Sequence, residues 1–223
     1  MKIICGFQYE LYTTDEQRSA LSRNAGCRRF VFNKALELQN ERKKNSLSLL
    51  RYKELCLELV KWKNEEKTVF LREAMSQPLQ QALKDLDRAI ADSFRPKSDP
   101  ARKEWPKFKS KDIGDGFRIP QFKPEHIDDV NGRVKLPKIG WMRYRKSRPL
   151  AFKCANGSMK SGTVRQIHIR KDCGHWFVVF TTEFDFEMPD PKELDVGIDL
   201  GVVHAVATSD GQFFDLNTGR SVR

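Results

Sequence analysis

The hydrophobic periodicity of this chain changes near residue 95, and that change strongly limits the folds it can adopt. Before this point, apolar residues recur every three or four positions, as in Leu79, Leu83, Leu86 and Ile90, a spacing that predicts amphipathic helices. Beyond it, apolar and polar residues alternate, most regularly over residues 163–170, as in half-buried strands. Helices followed by several strands indicate an α+β protein.

Four helices are predicted in the first part of the chain. Thr14 and Gln17 have the spacing of a capping box, so a helix is expected over residues 15–25, ended by Gly26. Three further helices are expected over residues 28–44, 47–63 and 78–94, where apolar residues again fall at helical spacing. We interpret these apolar stripes as the core of a helical bundle.

Short strands are predicted over residues 2–11, 116–122, 134–136, 141–146, 163–170 and 176–184. Asp172, Cys173 and Gly174 predict a hairpin turn between the last two strands. Strands of this kind favour a small barrel that includes the first strand, which would make the helices an insertion. A further strand pair is expected around residues 196–208. The predicted domains are residues 1–12, 13–95, 96–187 and 188–223.

The charge of the chain is concentrated in its middle. Residues 95–171 contain 21 Lys and Arg against 7 Asp and Glu, a net charge of +14, whereas the whole chain carries +11. Such a concentration is typical of a surface that binds a polyanion. Nucleic acid is favoured over a membrane, because the basic residues lie among predicted strands and no apolar run is long enough to cross a bilayer.

The cysteines predict free thiols rather than disulfides or a metal site. There are five, they are scattered, and no two have the Cys-x-x-Cys spacing of a structural zinc site. We therefore expect no zinc in this chain and a cytoplasmic location, since unpaired thiols are typical of a reducing compartment.

One carboxylate, Asp199, stands in a short apolar strand within residues 196–201 and precedes a glycine that permits a tight turn. Carboxylate oxygens are the ligands that Mg²⁺ prefers. Three interpretations stay open for this residue. It is the first metal-binding carboxylate of an RNase H-like nuclease, part of the phosphate-binding strand of an actin-like ATPase or sugar kinase, or an ordinary turn residue. Val202 and Val203 replace the threonines expected in the second class.

Six sequence blocks, in order, resemble the TnpB family of OrfB-type transposase accessory proteins. They include Leu79-Gln80-Gln81-Ala82-Leu83, Trp105-Pro106-Lys107-Phe108-Lys109 and the strand that carries Asp199. The full set covers residues 9–17, 26–36, 79–89, 105–111, 134–140 and 195–202. Because the blocks extend over almost the whole chain, the resemblance is more specific than any one of them.

The resemblance implies an RNA-guided DNA endonuclease related to type V CRISPR effectors. The implied fold is a wedge-like β-barrel with an inserted helical bundle, whose N-terminal helices are helix-turn-helix-like, followed by an incomplete RNase H-like (RuvC) segment. Guide-type RNA and target DNA are the implied partners in a transposon-associated system. Mg²⁺ is the implied cofactor, and Asp199 is the implied catalytic and metal-binding residue.

A complete RuvC site in this family needs a Glu and a further Asp from segments beyond the first strand pair. Two-metal cleavage requires several carboxylates, so we expect this chain to bind nucleic acid without cutting it alone, and to use Mg²⁺ only if the site is completed. Two alternatives stay open. A complementary C-terminal polypeptide completes the site, or the chain is a DNA-binding transposase accessory or regulatory protein.

Three groups of residues are the candidate contacts with nucleic acid. An extended stretch carries lysines that are expected to project to one side, namely Lys107, Lys109 and Lys111. A second stretch interleaves arginines with an aromatic residue, as suits phosphate contacts and base stacking, namely Arg143, Tyr144, Arg145 and Arg148. Amides at the start of the fourth predicted helix and just before it could read adenine edges, namely Gln77, Gln80 and Gln81.

Overall fold

The computed structural model describes residues 2–111, 115–153, 158–185, 196–201 and 204–215. These residues divide into two compact units. The larger unit, residues 2–185, is called the body below. The described part of the other unit, residues 196–215, is called the C-terminal segment. Cys154 and residues 188–191, a proline-bounded stretch whose composition predicts a linker, lie outside the described residues.

The α-helices of the body are α1 (Asp15–Lys44), α2 (Tyr52–Asn64) and α3 (Ser76–Ser93). One 3₁₀ helix lies between α2 and α3, over Glu66–Arg72, and another covers Pro124–His126. The predicted capping box at the start of α1 is confirmed. The Gln17 backbone nitrogen donates to Thr14 Oγ1 at 3.3 Å, and the Thr14 backbone nitrogen donates to Gln17 Oε1 at 3.1 Å. The backbone N–H groups of both residues, at the start of the helix, are thereby hydrogen-bonded by their two side chains.

The predicted helix break at Gly26 is wrong, because α1 passes through it without interruption. A glycine inside a helix costs only about 1 kcal/mol relative to alanine. Burial on both sides of Gly26 outweighs that cost, since Leu21 and Ala25 pack into the core of the sheet while Cys27 and Val31 pack into the core of the helices. One long helix thus joins the two cores.

The α2 helix begins five residues later than predicted. Residues 47–50 form a loop whose backbone is held by the buried Gln39. Its side chain accepts from Leu50 N at 3.0 Å and donates to Leu50 O at 2.6 Å. Because these backbone groups already have partners, the loop is satisfied without helical hydrogen bonds.

One antiparallel sheet accounts for most strands of the body. Its seven strands lie in the order β2-β8-β9-β1-β5-β4-β3. Their bounds are β1 Lys2–Tyr12, β2 Gly116–Ile119, β3 Ile127–Asp128, β4 Arg133–Leu136, β5 Gly140–Tyr144, β8 Thr163–Asp172 and β9 His175–Asp185. The predicted strands and the β8–β9 hairpin are confirmed, and β1 joins the later strands as expected. Strand β3 and the ribbon of β6 (Ala151–Lys153) and β7 (Met159–Ser161) were not predicted.

The sheet does not close into a barrel within the described residues, so the expected closed barrel is corrected to an open sheet. The outer strands β2 and β3 each pair on one side only. The β1 strand instead links two sub-sheets, because residues 2–10 pair with β9 whereas Leu11 and Tyr12 pair with β5. Both sub-sheets contribute side chains to one core, in which the rings of Tyr9, Tyr144 and Phe180 lie 5.1–6.0 Å apart.

The C-terminal segment contains three short antiparallel strands: β10 (Ile198–Asp199), β11 (Val206–Thr208) and β12 (Phe213–Phe214). Ser209 Oγ accepts from Gly197 N at 2.9 Å, and Ser209 N donates to Gly197 O at 2.8 Å. The predicted strand pair is therefore present, although Val202 and Val203 lie outside the described residues. Among the helices in the described ranges, none is both long and apolar enough to span a membrane.

Candidate nucleic-acid interface

The end of β1 and the β4–β5 hairpin display a basic and aromatic surface. Tyr12 lies opposite Arg143, and Arg143 lies opposite Arg133, so these three side chains form a row across the strands. Lys135 and Trp141 form a second cross-strand pair on the same face, since side chains two residues apart share a face. We call these five residues the basic strand face.

Every member of the basic strand face is accessible to a ligand. Tyr12 is 56% exposed and Trp141 is 44% exposed, while Arg133, Lys135 and Arg143 are exposed as well. The Arg133 guanidinium carbon lies 5.8 Å from the centre of the Trp141 ring, within the range of a cation–π contact. The face therefore combines three cations with two aromatic rings.

The charges of this face favour an anionic ligand. Two like charges directly opposite one another on paired strands destabilise the pair, and Arg133 and Arg143 are in that position. Arg133 is partly neutralised by Asp128 at 3.0 Å. For Arg143, no described carboxylate lies within ion-pair distance. A phosphate between the two arginines would relieve their repulsion and accept hydrogen bonds from both.

The structure places Tyr144 inside the core and not on this surface. It is 3% exposed, and its hydroxyl donates to Asp129 Oδ1 at 3.1 Å. Burial raises the pKa of this phenol, and Asp129 adds to the shift. Because Met142 and Tyr144 point inward while Trp141, Arg143 and Arg145 point outward, the aromatic residue available for stacking on β5 is Trp141.

Arg145 and Arg148 are exposed beside the same hairpin. The Arg145 backbone nitrogen donates to Glu10 O at 2.8 Å, which ties it to β1. The Arg148 guanidinium carbon lies 5.3 Å from the centre of the Phe7 ring, and its carbonyl oxygen accepts from Tyr9 at 3.1 Å. Hydrogen bonds to β1 therefore hold the backbone of both arginines, while their side chains are exposed.

The three lysines of the extended segment do not share one environment. Lys107 and Lys111 are exposed, and Lys107 pairs with Glu104 at 3.1 Å. Lys109 is half-buried, with its ammonium 4.2 Å from the centre of the Phe32 ring. Burial lowers the pKa of Lys109. Asn33 holds the backbone of Lys109 through two hydrogen bonds of 2.8 and 3.0 Å.

The three glutamines also differ in availability. Gln77 holds the backbone of Gln121, accepting from its nitrogen at 3.0 Å and donating to its oxygen at 2.7 Å. Its amide is therefore occupied in linking α3 to the segment after β2. Gln80 is exposed and Gln81 is half-buried, so Gln80 is the most accessible of the three to a base edge.

Asp199 is exposed on β10, where it pairs with Ala207. No group of three or more His, Cys, Asp or Glu side chains that could hold a metal ion occurs within the described ranges. Elsewhere in the C-terminal segment, Asp210 accepts from Gln212 at 3.2 Å and Asp215 lies 3.2 Å from His204 Nδ1. These residues alone do not form the multi-carboxylate site that Mg²⁺-dependent cleavage requires.

Sequence reasoning missed Tyr12, Arg133 and Lys135 as members of the face. The alternation of residues 133–136 does indicate that Arg133 and Lys135 share one side of a strand. The register that places Arg133 opposite Arg143 belongs to the local β4–β5 hairpin. The position of Tyr12 beside them depends instead on the pairing of β1 with β5, whose residues lie more than 100 positions apart, and local alternation does not contain that pairing.

Comparison with known proteins adds an independent observation. A family model described as a helix-turn-helix domain of OrfB proteins matches residues 1–47, which fits the expectation of helix-turn-helix-like N-terminal helices. In this chain those residues include β1 and all of α1.

Two curated relatives match nearly the whole chain. A protein of Escherichia coli strain K12 named "Putative RNA-guided DNA endonuclease InsQ" is 38% identical over 216 residues, which cover 96% of this chain and 50% of that protein. A "Putative RNA-guided DNA endonuclease" of Streptomyces pristinaespiralis is 30% identical over 207 residues, covering 92% of this chain and 48% of that protein. The chain thus spans about half the length of the curated relatives it matches.

Proposed function

The chain belongs to the TnpB/OrfB family, and we propose that it binds guide-type RNA and target DNA within a transposon-associated, RNA-guided system in the cytoplasm. The observation that carries this proposal is the basic strand face, where Arg133, Lys135 and Arg143 surround Trp141. Cations that track a phosphate backbone, with an aromatic ring beside them, are typical of surfaces that bind nucleic acid.

Structured RNA is the preferred ligand in this proposal. The face is a shallow strand surface, and a duplex RNA offers a wide minor groove and phosphates that such a surface can follow, while its unpaired loops can stack on a ring. The exposed lysines Lys107 and Lys111 extend the set of phosphate contacts. Affinity should therefore fall steeply as salt rises, because each contacted phosphate releases counterions.

The test replaces Arg133, Lys135 and Arg143 together with alanine and measures RNA affinity over a series of salt concentrations. Each lost phosphate contact should reduce the slope of log affinity against log salt by about one, so the triple variant should lose about three. A hairpin RNA and a DNA duplex of equal length are compared in the same titrations, and the RNA should bind more tightly.

A matched control removes the same charge from the helical part of the body. Lys53, Lys67 and Arg88 are exposed, and their joint replacement with alanine should leave the salt slope nearly unchanged. If both triple variants weaken binding equally, the effect comes from net charge and the basic strand face is not the contact surface. Circular dichroism of each variant separates loss of binding from loss of fold.

For the nuclease of this family, we propose that the C-terminal segment supplies the first strands of a RuvC domain and that Asp199 contributes one carboxylate to it. When bound in a complete site, Mg²⁺ would stabilise charge on the cleaved phosphate. The described residues do not fit such an ion by themselves. We propose that a complementary polypeptide carries the other carboxylates and covers the exposed Ile198 and Leu200.

Plasmid cleavage with a matched RNA and target tests this second proposal. The 223-residue chain alone should not cut, with or without Asp199→Ala. The same substitution should leave RNA affinity unchanged, because Asp199 lies outside the basic strand face. Cutting by the chain alone that Asp199→Ala abolishes would contradict the proposal, since it would mean that the carboxylates already present complete the site.

A further inference from the structure

The stretch that follows α3, residues 94–105, forms a loop closed by ion pairs. Asp92 is 6% exposed and holds Arg95 at 3.0 Å and Lys103 at 3.7 Å. Asp99 accepts from Ala101 N at 2.8 Å and from Arg95 at 3.1 Å. These two hydrogen bonds lower the pKa of Asp99. The carboxylates of Asp92 and Asp99 thus hold the two ends of the loop together.

Trp105 closes the far end of this loop against α1. Its Nε1 donates to Asn40 Oδ1 at 2.8 Å, and the Lys43 ammonium lies 3.9 Å from the centre of its ring. Phe94 meets Trp105 edge to face, with ring centroids 6.0 Å apart. The Phe94 side chain nevertheless remains 63% exposed, so its ring is held in place while much of it stays accessible.

A cavity of about 610 Å³ lies between these groups. Phe94 and Trp105 are its aromatic lining residues, and Lys43, Lys97, Arg102 and Lys103 are its cations. Lys103 is engaged by Asp92, and Glu104 pairs with Lys107. Lys97 and Arg102 are exposed, and no described carboxylate lies within ion-pair distance of either. The volume is within the range of small-molecule sites.

We propose that this cavity, which we call the Phe94 pocket, binds an unpaired nucleotide of single-stranded nucleic acid. The base stacks on the exposed part of the Phe94 ring, and the flanking phosphates lie at Lys97 and Arg102. Aromatic side chains beside cations are the recurring means of holding single strands, because every base offers a flat face. The loop is already closed by Asp92 and Asp99, so little ordering is needed on binding.

This site goes beyond the basic strand face and shares no residue with it. It rests on the proposed function only in that both concern nucleic acid. Guide-type RNA and a displaced DNA strand offer the same chemistry, an unpaired base between two phosphates. The two sources are separated by the ligands used in the test.

The test uses the full chain and heptanucleotides of RNA and of DNA that carry 2-aminopurine at the centre. Stacking on Phe94 should quench the fluorescence of this base analogue. Phe94→Ala should abolish the quenching and weaken binding roughly 5- to 150-fold, the range expected for loss of one stacked base. Tighter binding of the RNA heptamer assigns the pocket to guide-type RNA, and tighter binding of the DNA heptamer assigns it to the displaced strand.

Three further variants separate a binding role from a structural one. Phe94→Trp should restore the quenching, since tryptophan also offers a ring. Lys97→Ala with Arg102→Ala should reduce the salt slope by about two while leaving some quenching. Phe70→Ala is the matched control, because Phe70 forms a similar exposed edge-to-face pair with Phe30 at 5.3 Å, and it should change neither measurement.

Unchanged quenching and affinity in a folded Phe94→Ala chain would overturn the pocket, as would a wild-type chain that quenches neither heptamer. Either result leaves the basic strand face untouched, because that surface is tested with hairpin RNA and its own triple variant. Conversely, the triple variant of the basic strand face could lose hairpin RNA binding and still quench the heptamers. That result would support the Phe94 pocket independently of the basic strand face.

Discussion

The body and the C-terminal segment are both built on antiparallel strands rich in apolar residues, yet they bury them to very different degrees. Ile167 and Phe180 in the body are fully buried, whereas Ile198 and Leu200 in the C-terminal segment are 68% and 76% exposed. An apolar strand is therefore not enough to make a core. A second layer must cover it.

In the body that layer comes from two directions. The sub-sheets on either side of β1 share one core, and the first half of α1 adds Leu21 and Ala25 to it. The described part of the C-terminal segment has only three short strands and no helix. Exposed apolar strands of this kind favour pairing with another polypeptide, which is why they support the proposal of a complementary chain.

The largest expected effect compares two phenylalanines. Phe180→Ala should lower the free energy of unfolding of the body by about 3–5 kcal/mol, because it removes a buried ring that packs on Tyr9 and Tyr144. Phe213→Ala should change the free energy of unfolding by less than about 0.5 kcal/mol, since the Phe213 side chain is 61% exposed. Urea denaturation followed by circular dichroism measures both. Equal losses would break the comparison by showing that Phe213 is covered in solution.

A pair of glycines probes the same difference in packing. A Cβ at Gly162 would lie 2.6 Å from both Phe184 and Thr182, so Gly162→Ala should destabilise by about 1–3 kcal/mol. A Cβ at Gly197 would meet nothing closer than 3.4 Å, so Gly197→Ala should change the free energy of unfolding by less than about 0.5 kcal/mol. Thermal and urea unfolding of the two variants provide the measurement, and a reversed order would contradict the tight packing around β9.

Gly26 offers a stabilising change inside the body. An added Cβ meets nothing within 4 Å there, and alanine favours the helix, so Gly26→Ala should raise the free energy of unfolding by about 0.5–1 kcal/mol. Gly174→Ala is the control, because Gly174 has φ +85° in the β8–β9 turn and should destabilise instead. A destabilising Gly26→Ala would argue that α1 bends or breaks where it joins the two cores.

The smallest effect concerns acid sensitivity. Arg165 and Lys2 hold the pKa of Glu183 at about 2, below its ordinary value of 4.5. The stabilisation from this carboxylate is complete above pH 4.5 and is lost as the pH falls toward about 2, because the unfolded chain takes up the proton first. Glu183→Gln should flatten the decline in urea midpoint over that interval. Asp215→Asn, at an exposed pair in the C-terminal segment, should leave it unchanged.

Local rules predicted much of the fold. The capping box at Thr14, the β8–β9 hairpin and the participation of β1 in the sheet follow from turn chemistry and periodicity, and all three are confirmed. The prediction of a helix break at Gly26 was wrong, because a local preference of about 1 kcal/mol was outweighed by packing on both sides of Gly26. The open sheet was missed because closure depends on which strands pair, and periodicity does not contain that information.

The residues of the candidate site were predictable only in part. Basic residues among strands predict a nucleic-acid surface, which stays a prediction, and Arg143 is the one predicted contact that belongs to the basic strand face. The alternation of residues 141–145 already placed Tyr144 on the inner side, so its burial was within reach of the sequence. The contact of the Lys109 ammonium with the Phe32 ring and the hydrogen bond from Trp105 to Asn40 could not be predicted, since both join distant parts of the chain.

The central position of β1 has a consequence for how the protein is made. Its main partner β9 lies far along the chain and pairs Asp185 with Lys2, so at roughly 5–20 residues per second β9 leaves the ribosome about 10–35 s after β1. During this interval the three helices can assemble from contacts close in sequence, while both edges of β1 remain unpaired. We expect such a high contact order to slow folding of the sheet, and a chaperone that shields β1 to raise the yield of native chain.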